Sequence, residues 1–394
     1  MTYPKSWEKV TCSAWCEDEN KIWLCLGNKN AICEINKKGK TVRILGSFPH
    51  NRLEERDLSL SVEKNGDYVV ICPFRANDIA ILKISTGELE FIELRYYMDK
   101  NQYEGFETEK FYRMISYKNS ILFLGTRVPT IMRLNLITKS LDFFSSWQCK
   151  IEQHKCKEGV FFTDGYAQKE NEIYLPLGRC SGILKVNLDT MEFDYIELGL
   201  ATHGILGMTQ QKNYVWLTEQ DAKAGKFFQW NLDSNHVVQI DLPSHDAFYA
   251  PLYYKESLLF FRNYGKRSYQ YELKTGKWRD ITDRVPETAC PSDKKVREDE
   301  IVYFSKTGKF YHWNPQTDIS YFDEFKIEDN VFLETSWVNY WKKCKRDGGV
   351  ESEMPLRDYI EGIKSFGEDD LNFFEEKENP IGEQILKLLK TRER

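Results

Sequence analysis

Residues 68–94 read YVVICPFRANDIAILKISTGELEFIEL, and this stretch decides the fold. It holds three short apolar runs, 68–72, 79–84 and 89–94, which are separated by polar turns. Short runs rich in Val, Ile, Tyr and Phe, bounded by turn residues, are typical of β-strands and not of helices. The turn at 85–88 (STGE) is explained by reversal of the chain between two strands.

The same order of runs occurs seven times along the chain. The turn between the last two runs of each copy is marked by Lys38, Thr86, Thr138, Thr190, Ser234, Thr275 and Thr317. Successive turns are 41–52 residues apart, which is the period of a β-propeller blade. A further apolar stretch before each of the first six copies predicts the missing fourth strand, at residues 10–15, 58–62, 111–115, 161–162, 204–208 and 247–250.

These repeats predict an all-β, seven-bladed β-propeller, with six or eight blades as the alternatives. A solenoid is disfavoured, because β-helix rungs are about half this length and leucine-rich repeats carry Asn ladders that the sequence lacks. The seventh copy has a charged first strand at residues 294–297. One expectation is therefore that residues 2–10 lend this blade a strand as a closing clasp.

The strand runs also carry a family resemblance. The runs NKIWL (20–24) and NYVWL (213–217), with the turns at 85–87 (STG) and 274–276 (KTG), resemble those of YVTN, streptogramin-lyase-like and kelch-superfamily propellers. The resemblance covers roughly residues 10–327, but the Trp-Asp and Gly-His signatures of WD40 repeats are missing. It implies a fold and leaves function open.

The period ends after Phe325, and the remaining sequence differs in kind. Residues 331–344, 355–366 and 380–390 have the apolar spacing and capping residues of helices. We therefore predict two domains, a propeller at 1–328 and a helical extension at 329–394 that docks on the propeller. A helix that binds a partner is the alternative.

Composition excludes several classes of function. The formal net charge is −6 and basic residues are mixed with acidic ones, so no nucleic-acid partner is expected. Neither a signal peptide nor an apolar run long enough to span a membrane is present, which predicts a cytoplasmic protein. Ten cysteines without a CxxC pair are expected to be reduced thiols. Zinc at Cys149, His154, Cys156 and Cys180 is disfavoured by their irregular spacing, so no metal and no cofactor is predicted.

Functional sites of propellers favour the mouth of the central channel, where the innermost strands begin. Counting back about 12 residues from each second strand reaches a charged rim, and the resulting candidates are Arg56, Asp57, Lys110, Glu158, His203, His245 and Asp246. His203 and His245 are one repeat apart and should occupy equivalent places on neighbouring blades. With Glu158 or Asp246 they could serve as acid and base, or bind a divalent metal. Ligand contact without chemistry, or hydrogen bonds to backbone between blades, are the competing interpretations.

Streptogramin-type lyases, which the strands resemble, use histidines and a glutamate near such a mouth, although no motif matches residue by residue. Arg56, Asp57, Lys110 and Tyr249 are predicted ligand contacts, and Tyr249 belongs to a dense group of tyrosines around one blade. No phosphate loop, nucleophile elbow, dinucleotide fingerprint or HExxH motif occurs. The favoured function is a non-catalytic propeller that holds a protein segment or a glycan, accessory to a biosynthetic or modification pathway. The alternative is a propeller lyase or hydrolase that uses the histidine pair, and a third possibility is a structural platform that docks through the helical tail.

Overall fold

The strands form seven sheets, each built from four antiparallel strands that are consecutive in sequence, and the sheet of the first blade gains a fifth, parallel strand from the end of the propeller. They belong to a computed structural model that describes residues 9–52, 55–100, 109–152, 154, 160–200, 204–219, 225–261, 267–286, 293–305 and 307–327. Each sheet is one copy of the sequence repeat, so the predicted seven-bladed β-propeller is confirmed. The described residues belong to one compact unit, Lys9–Glu328. The helical extension predicted at 329–394 lies outside the described residues.

The strands of the blades follow in chain order. Blades 1 and 2 contain β1 (Trp15–Glu17), β2 (Lys21–Cys25), β3 (Ile32–Asn36), β4 (Thr41–Gly46), β5 (Val62–Asn65), β6 (Tyr68–Ile71), β7 (Asp78–Lys83) and β8 (Glu88–Glu93). Blades 3 and 4 contain β9 (Phe111–Tyr117), β10 (Ser120–Gly125), β11 (Ile131–Asn135), β12 (Leu141–Phe144), β13 (Ala167–Lys169), β14 (Glu172–Pro176), β15 (Gly182–Asn187) and β16 (Phe193–Glu197). Blades 5 and 6 contain β17 (Ile205–Gln211), β18 (Tyr214–Glu219), β19 (Lys226–Asn231), β20 (Val237–Asp241), β21 (Leu252–Tyr254), β22 (Ser257–Phe260), β23 (Tyr269–Glu272) and β24 (Lys277–Asp280). Blade 7 contains β25 (Lys295–Arg297), β26 (Glu300–Phe304), β27 (Lys309–Asn314) and β28 (Ile319–Glu324), and β29 (Lys326–Ile327) follows it.

The first strands surround the central axis, since β1 contacts β5, β5 contacts β9, and β13 and β21 each contact β17. Because the strands of a blade alternate in direction, the loops between second and third strands emerge on the same face as the connections between blades. We call this the connection face. The hairpins between first and second strands and between third and fourth strands emerge on the opposite face, which we call the hairpin face.

The turn that marks the repeat has a local chemical cause. Asn135 ends β11, and its Oδ1 accepts the backbone N–H groups of Ile137 and Thr138 at 2.9 and 3.0 Å. Thr138 Oγ1 then accepts the N–H of Ser140 at 3.4 Å, and Lys139 adopts a left-handed backbone with φ of 58°. Asparagine and threonine side chains stabilise such turns by replacing backbone partners. The same position is held by Asn36, Asn187, Asn231 and Asn314 in four other blades.

Blades 2 and 6 have Lys83 and Glu272 in place of this asparagine. In both blades the left-handed position is a glycine, Gly87 with φ of 71° and Gly276 with φ of 67°. Glycine adopts this backbone without the steric cost of a Cβ, so it offsets the missing side-chain hydrogen bonds. The two kinds of turn therefore form the same hairpin.

Four first strands begin later than the sequence predicted. The predicted runs 10–15, 58–62, 161–162 and 247–250 are followed by β1, β5, β13 and β21, which begin at residues 15, 62, 167 and 252. Their apolar residues are buried nonetheless, Leu58, Phe162 and Phe248 among them. The carbonyl of Leu58 accepts the N–H of Phe74, in the second-to-third strand loop of blade 2, at 2.9 Å. Leu58 is therefore apolar because it lies under this loop, and not because it pairs in a strand.

The clasp predicted from residues 2–10 falls mainly on residues 2–8, which lie outside the described residues, so it stays a prediction. Lys295–Arg297 is the first strand of blade 7, and the four strands described for this blade come from residues 295–324. At the other edge of the seam, β29 pairs in parallel with β4, the outer strand of blade 1. Lys40 Nζ also lies 2.5 Å from Asp323 Oδ1, so both backbone and charge join the ends of the ring. Charged residues are tolerated in β25 because Glu17 of blade 1 binds Arg297.

Apolar side chains fill the spaces between blades. One cluster of buried residues joins blades 3 and 4 around Trp147, and another joins blades 5 and 6 around Phe227 and Phe260. Two short helices, α1 (Arg95–Lys100) and α2 (Gln148–Ile151), lie in the connections that follow blades 2 and 3. Among the residues that the structure describes, none of the helices has the length and apolar character needed to cross a bilayer.

Candidate functional site

Charged side chains from four blades meet where the first strands begin, on the connection face. They are Glu63 of β5, Arg113 of β9, Asp164 just before β13, Asp293 just before β25, and Lys295 of β25. We call these five residues the axial cluster. The pKa of Glu63, on blade 2, is affected by the charge of Arg113 from blade 3 and by the charges of Lys295 and Asp293 from blade 7. The cluster therefore converges on the central axis.

Arg113 and Asp164 form the ion pair of this cluster. A terminal nitrogen of Arg113 donates to Asp164 Oδ1, and Asp164 is only 5% exposed. The backbone of Asp164 is held by blade 5, because its carbonyl accepts the N–H of Met208 at 2.9 Å. Arg113 Nε is buried and has no hydrogen-bond partner among the described residues. Burial acts to lower the pKa of Arg113, but neighbouring anionic groups, Asp164 first, raise it, so the guanidinium stays charged.

Glu63 has a carboxyl whose pKa is strongly altered by its surroundings. Burial raises the pKa of its carboxyl to about 7, and the positive charges of Arg113 and Lys295 oppose that rise. Near neutral pH this carboxyl is therefore present in both protonation states. It can donate a hydrogen bond in one state and accept in the other.

Blade 7 contributes Asp293 and Lys295, and both are anchored on Trp15 of blade 1. Asp293 Oδ2 accepts the backbone N–H of Trp15 at 2.7 Å, and Lys295 Nζ donates to the carbonyl of Trp15. The ammonium of Lys295 also lies 4.2 Å from the centroid of the Trp15 ring, in cation–π geometry. Burial raises the pKa of Asp293, and Lys295 partly offsets this. The seam that closes the ring thus also builds one side of the cluster.

Tyr166 supplies the exposed edge of the site. It is 36% exposed and lies between Asp164 and β13. Burial of its hydroxyl raises its pKa, the charge of Glu63 raises it further, and Arg113 opposes the rise. The phenol is therefore close to the cluster and still reachable from solvent. The arrangement can bind a polar group at Tyr166 and can exchange a proton at Glu63.

The predicted rim residues lie on the connection face outside this cluster. Arg56 is exposed, and Asp57 donates its backbone N–H to the carbonyl of Gly27 at 3.0 Å. Burial raises the pKa of Asp57, an effect that Arg75 and Arg56 oppose. Lys110 is only 1% exposed, and its Nζ donates to the carbonyl of Arg75 at 3.3 Å.

The predicted catalytic residues are only partly described. His203 and Glu158 lie outside the described residues, so the histidine pair stays a prediction. His245 is exposed, in the connection between β20 and β21. Asp246 Oδ2 accepts the hydroxyl of Ser244 at 2.9 Å. Tyr249, on the same connection, is half-buried, and its carbonyl lies 3.5 Å from Thr218 Oγ1.

Two findings concern the predicted thiols and metals. Cys180 is disulfide-bonded, whereas Cys12, Cys16, Cys25, Cys33, Cys72 and Cys149 are free. The expectation that all ten thiols are reduced is therefore wrong at this position. Within the described ranges, no group of three or more His, Cys, Asp or Glu side chains has a metal-binding arrangement.

Sequence reasoning missed the whole axial cluster. Counting back about 12 residues from each second strand led to positions that precede these residues. Four of the first strands begin closer to the second strand than that count assumed. A usable signal was present at Arg113, a charge inside the apolar run FYRMIS (111–116). A charged residue in a predicted inner strand is expected to face a polar axis or a partner.

Comparison with solved structures finds proteins of the same fold. No known protein family and no curated protein sequence matches the chain. Among solved structures, virginiamycin B lyase from Staphylococcus aureus superposes with a TM-score of 0.57 at 13% identity, over 76% of this chain and 94% of that one. YCF48 bound to D1 peptide gives 0.55 at 12% identity, over 79% and 94% of the two chains. BamB from Moraxella catarrhalis gives 0.51 at 10% identity, over 78% and 86%.

At these identities the likeness defines the fold alone. The chain shares the β-propeller fold of these structures. The predicted resemblance to YVTN and streptogramin-lyase-like propellers is confirmed as a likeness of fold, and the likeness to kelch propellers stays a prediction. Proteins of this fold include a lyase and a protein bound to a peptide, so the fold does not decide between catalysis and binding.

Proposed function

We propose that this protein is a non-catalytic binding propeller that holds a segment of another protein on its connection face, with the axial cluster as the anchor. The observation that supports this is the meeting of Glu63, Arg113, Asp164, Asp293 and Lys295 at one end of the axis, beside an exposed Tyr166. Buried charges are costly to assemble and are common at sites that recognise polar groups.

The hydrogen-bonding capacity of the site suits a peptide. A tyrosine hydroxyl, a carboxyl that can donate or accept, and an arginine together match backbone carbonyl and N–H groups as well as polar side chains. YCF48, of the same fold, has been solved with the D1 peptide bound, which makes a peptide ligand reasonable for this fold. A glycan ligand, a cytoplasmic location and an accessory role in a modification pathway stay as predictions from sequence.

The second candidate is a propeller lyase or hydrolase, and one observation favours it. Glu63, with a pKa of about 7, has the protonation behaviour of a general acid or base, and it lies beside Tyr166. If the protein is an enzyme, we expect Glu63 to transfer the proton. Virginiamycin B is a direct probe, given the lyase of similar fold. Under the binding proposal it elutes unchanged from liquid chromatography after incubation with the protein.

A displayed library of random 12-residue peptides tests the binding proposal. Peptides enriched on the wild-type protein are labelled, and their dissociation constants are measured by fluorescence anisotropy for Glu63→Gln, Tyr166→Ala and the control Lys274→Glu. Lys274 lies exposed in a hairpin-face turn. We expect the two site variants to weaken binding by roughly fivefold or more, as loss of a buried hydrogen bond predicts, and the control to bind as wild type does. Failure to enrich any peptide, or equal binding by all variants, would contradict the proposal.

A further inference from the structure

Three consecutive blades carry an arginine at one equivalent position on the connection face. The position is defined by a repeated backbone hydrogen bond from the second-to-third strand loop to the residue that begins each blade. The bonds run from Phe74 to Leu58, from Thr126 to Lys110 and from Gly178 to Phe161, at 2.9, 2.8 and 3.0 Å. The residue that follows each donor is Arg75, Arg127 or Arg179, and we call these three the arginine arc.

The chain itself shows how this surface holds a carboxylate. Glu109 lies between the first two arginines, with Oε1 3.6 Å from a terminal nitrogen of Arg75 and Oε2 3.1 Å from Nε of Arg127. Two guanidinium groups from neighbouring blades therefore share one carboxylate. Both arginines remain about half exposed, at 49% and 56%, so each can also reach a second anionic group.

In two of the three blades, the residue before the acceptor of this hydrogen bond is acidic. Glu109 immediately precedes Lys110, and the equivalent residue before Leu58 is Asp57. The positive charge of Arg75 acts to lower the pKa of Asp57, so these two residues are close enough to interact. In blade 4, which carries Arg179, the equivalent residue is Val160. The guanidinium of Arg179 lies 3.7 Å from the centroid of the Phe161 ring, and such stacking fixes the plane whose edge recognises carboxylates.

The balance of charge on the arc is opposite to that of the protein. The three arginines of the arc and the neighbouring Arg56 face the carboxyls of Asp57 and Glu109, whereas the whole chain has a formal charge of −6. A locally positive surface attracts anionic partners and disfavours cationic ones. A nucleic acid would call for a longer basic stripe than three loops supply.

We propose that the arginine arc binds an acidic peptide segment, whose Asp or Glu carboxylates take places next to the arginines as Glu109 does. This inference rests on the proposed function and names the chemistry of the bound segment. The segment crosses the second-to-third strand loops of blades 2 to 4, on the same face as the axial cluster. Glu109 competes with it for Arg75 and Arg127.

The test uses three fluorescein-labelled probes: a 12-residue peptide of alternating Glu and Gly, the same peptide with Gln for Glu, and a 12-nucleotide oligothymidine. The variants are Arg75→Gln, Arg127→Gln, Glu109→Gln and a matched control, Arg43→Gln. Arg43 is 55% exposed on β4 and lies 3.4 Å from Glu34, so it loses the same charge at the same exposure away from the arc. Thermal unfolding of each variant verifies that it is folded.

We expect only the Glu peptide to bind, and we expect binding to weaken with added salt. Arg75→Gln and Arg127→Gln weaken it about three- to tenfold, as exposed charge-assisted contacts predict. Glu109→Gln tightens it, because it removes the competing carboxylate, and Arg43→Gln leaves it unchanged. Equal binding of the Gln peptide, equal weakening by Arg43→Gln, or binding of the oligothymidine in place of the Glu peptide would overturn the inference.

The two proposals can fail separately. If displayed peptides bind and depend on Glu63 and Tyr166 while the Glu peptide does not bind, the acidic-segment inference is wrong and the binding function stands. If neither kind of peptide binds, both are wrong.

Discussion

Arg113 of blade 3 and Asp164 of blade 4 form an ion pair across the boundary between two blades, at the central axis. The carboxylate is almost fully buried, and Arg113 is its only ion-pair partner among the described residues. Arg113 therefore has two effects. It neutralises a buried carboxylate that stabilises the fold only when paired, and its charge lowers the pKa of Glu63 in the candidate site.

Removing the cation of this pair should destabilise the propeller strongly. Arg113→Met leaves the Asp164 carboxylate buried without its partner, which costs about 3–5 kcal/mol of unfolding free energy. The double variant Arg113→Met with Asp164→Asn should recover part of that loss, since no buried charge remains. Urea unfolding measures both. The control is Arg133→Met, which breaks an exposed pair with Asp142 and should cost about 1 kcal/mol or less; equal costs at the two sites would contradict this account.

Glu63 should make stability depend on pH in a defined direction. Its folded pKa of about 7 lies above the ordinary value of 4.5, so the folded state binds the proton more tightly than the unfolded state. The contribution to stability is complete below about pH 4.5 and is lost as the pH rises through 7. Relative to Glu63→Gln, the wild type should lose about 2–3 kcal/mol of unfolding free energy across this window.

The measurement is urea unfolding of both proteins at a series of pH values between 4.5 and 8. The difference between the two proteins isolates Glu63, because other carboxyls titrate in both. A difference that does not change with pH would mean that Glu63 has an ordinary pKa. That result would contradict the assignment of Glu63 as a group that exchanges a proton near neutral pH.

The blade architecture could be predicted because its signals are local. The Asn135 to Lys139 turn and its equivalents depend on side chains within five residues, so the sequence displays them at each repeat. The strand positions failed where burial came from elsewhere: residues 58–62 look like a strand because Leu58 lies under a loop of its own blade.

The axial cluster could not be predicted for the opposite reason. Glu63 is influenced by Lys295, on the blade at the far end of the chain, and only closure of the ring brings them together. The closure itself depends on β29 and Asp323, which meet β4 and Lys40 across almost the whole chain. The arginine arc was visible in principle, since Arg75 and Arg127 fall in equivalent loops, but their equivalence needed the backbone hydrogen bonds to be recognised.

The disulfide at Cys180 predicts a deficit of thiols. Of the ten cysteines, at most eight should react with a thiol reagent in the denatured, unreduced protein, and all ten after reduction. Loss of the cross-link in Cys180→Ser should destabilise the fold by about 2–4 kcal/mol. Titration of ten thiols before reduction, in protein purified without reductant, would contradict the bond; Cys149→Ser, at an exposed free cysteine, is the control.

His50 should titrate above its ordinary range. Its Nδ1 lies 2.7 Å from Oδ1 of Asp78, a fully buried residue, and this hydrogen bond and charge raise the pKa of His50 above 6.5. Stability from the protonated imidazole is therefore complete below about pH 6.5 and is lost as the pH rises through the folded pKa. The NMR signals of His50, followed against pH, should give a midpoint above 6.5. Asp78→Asn removes the charge but keeps an acceptor, and should return the midpoint of His50 toward 6.5. If the midpoint of His50 does not move in this variant, Asp78 is not the cause of the shift, and the contact between them contributes no pH dependence to the fold.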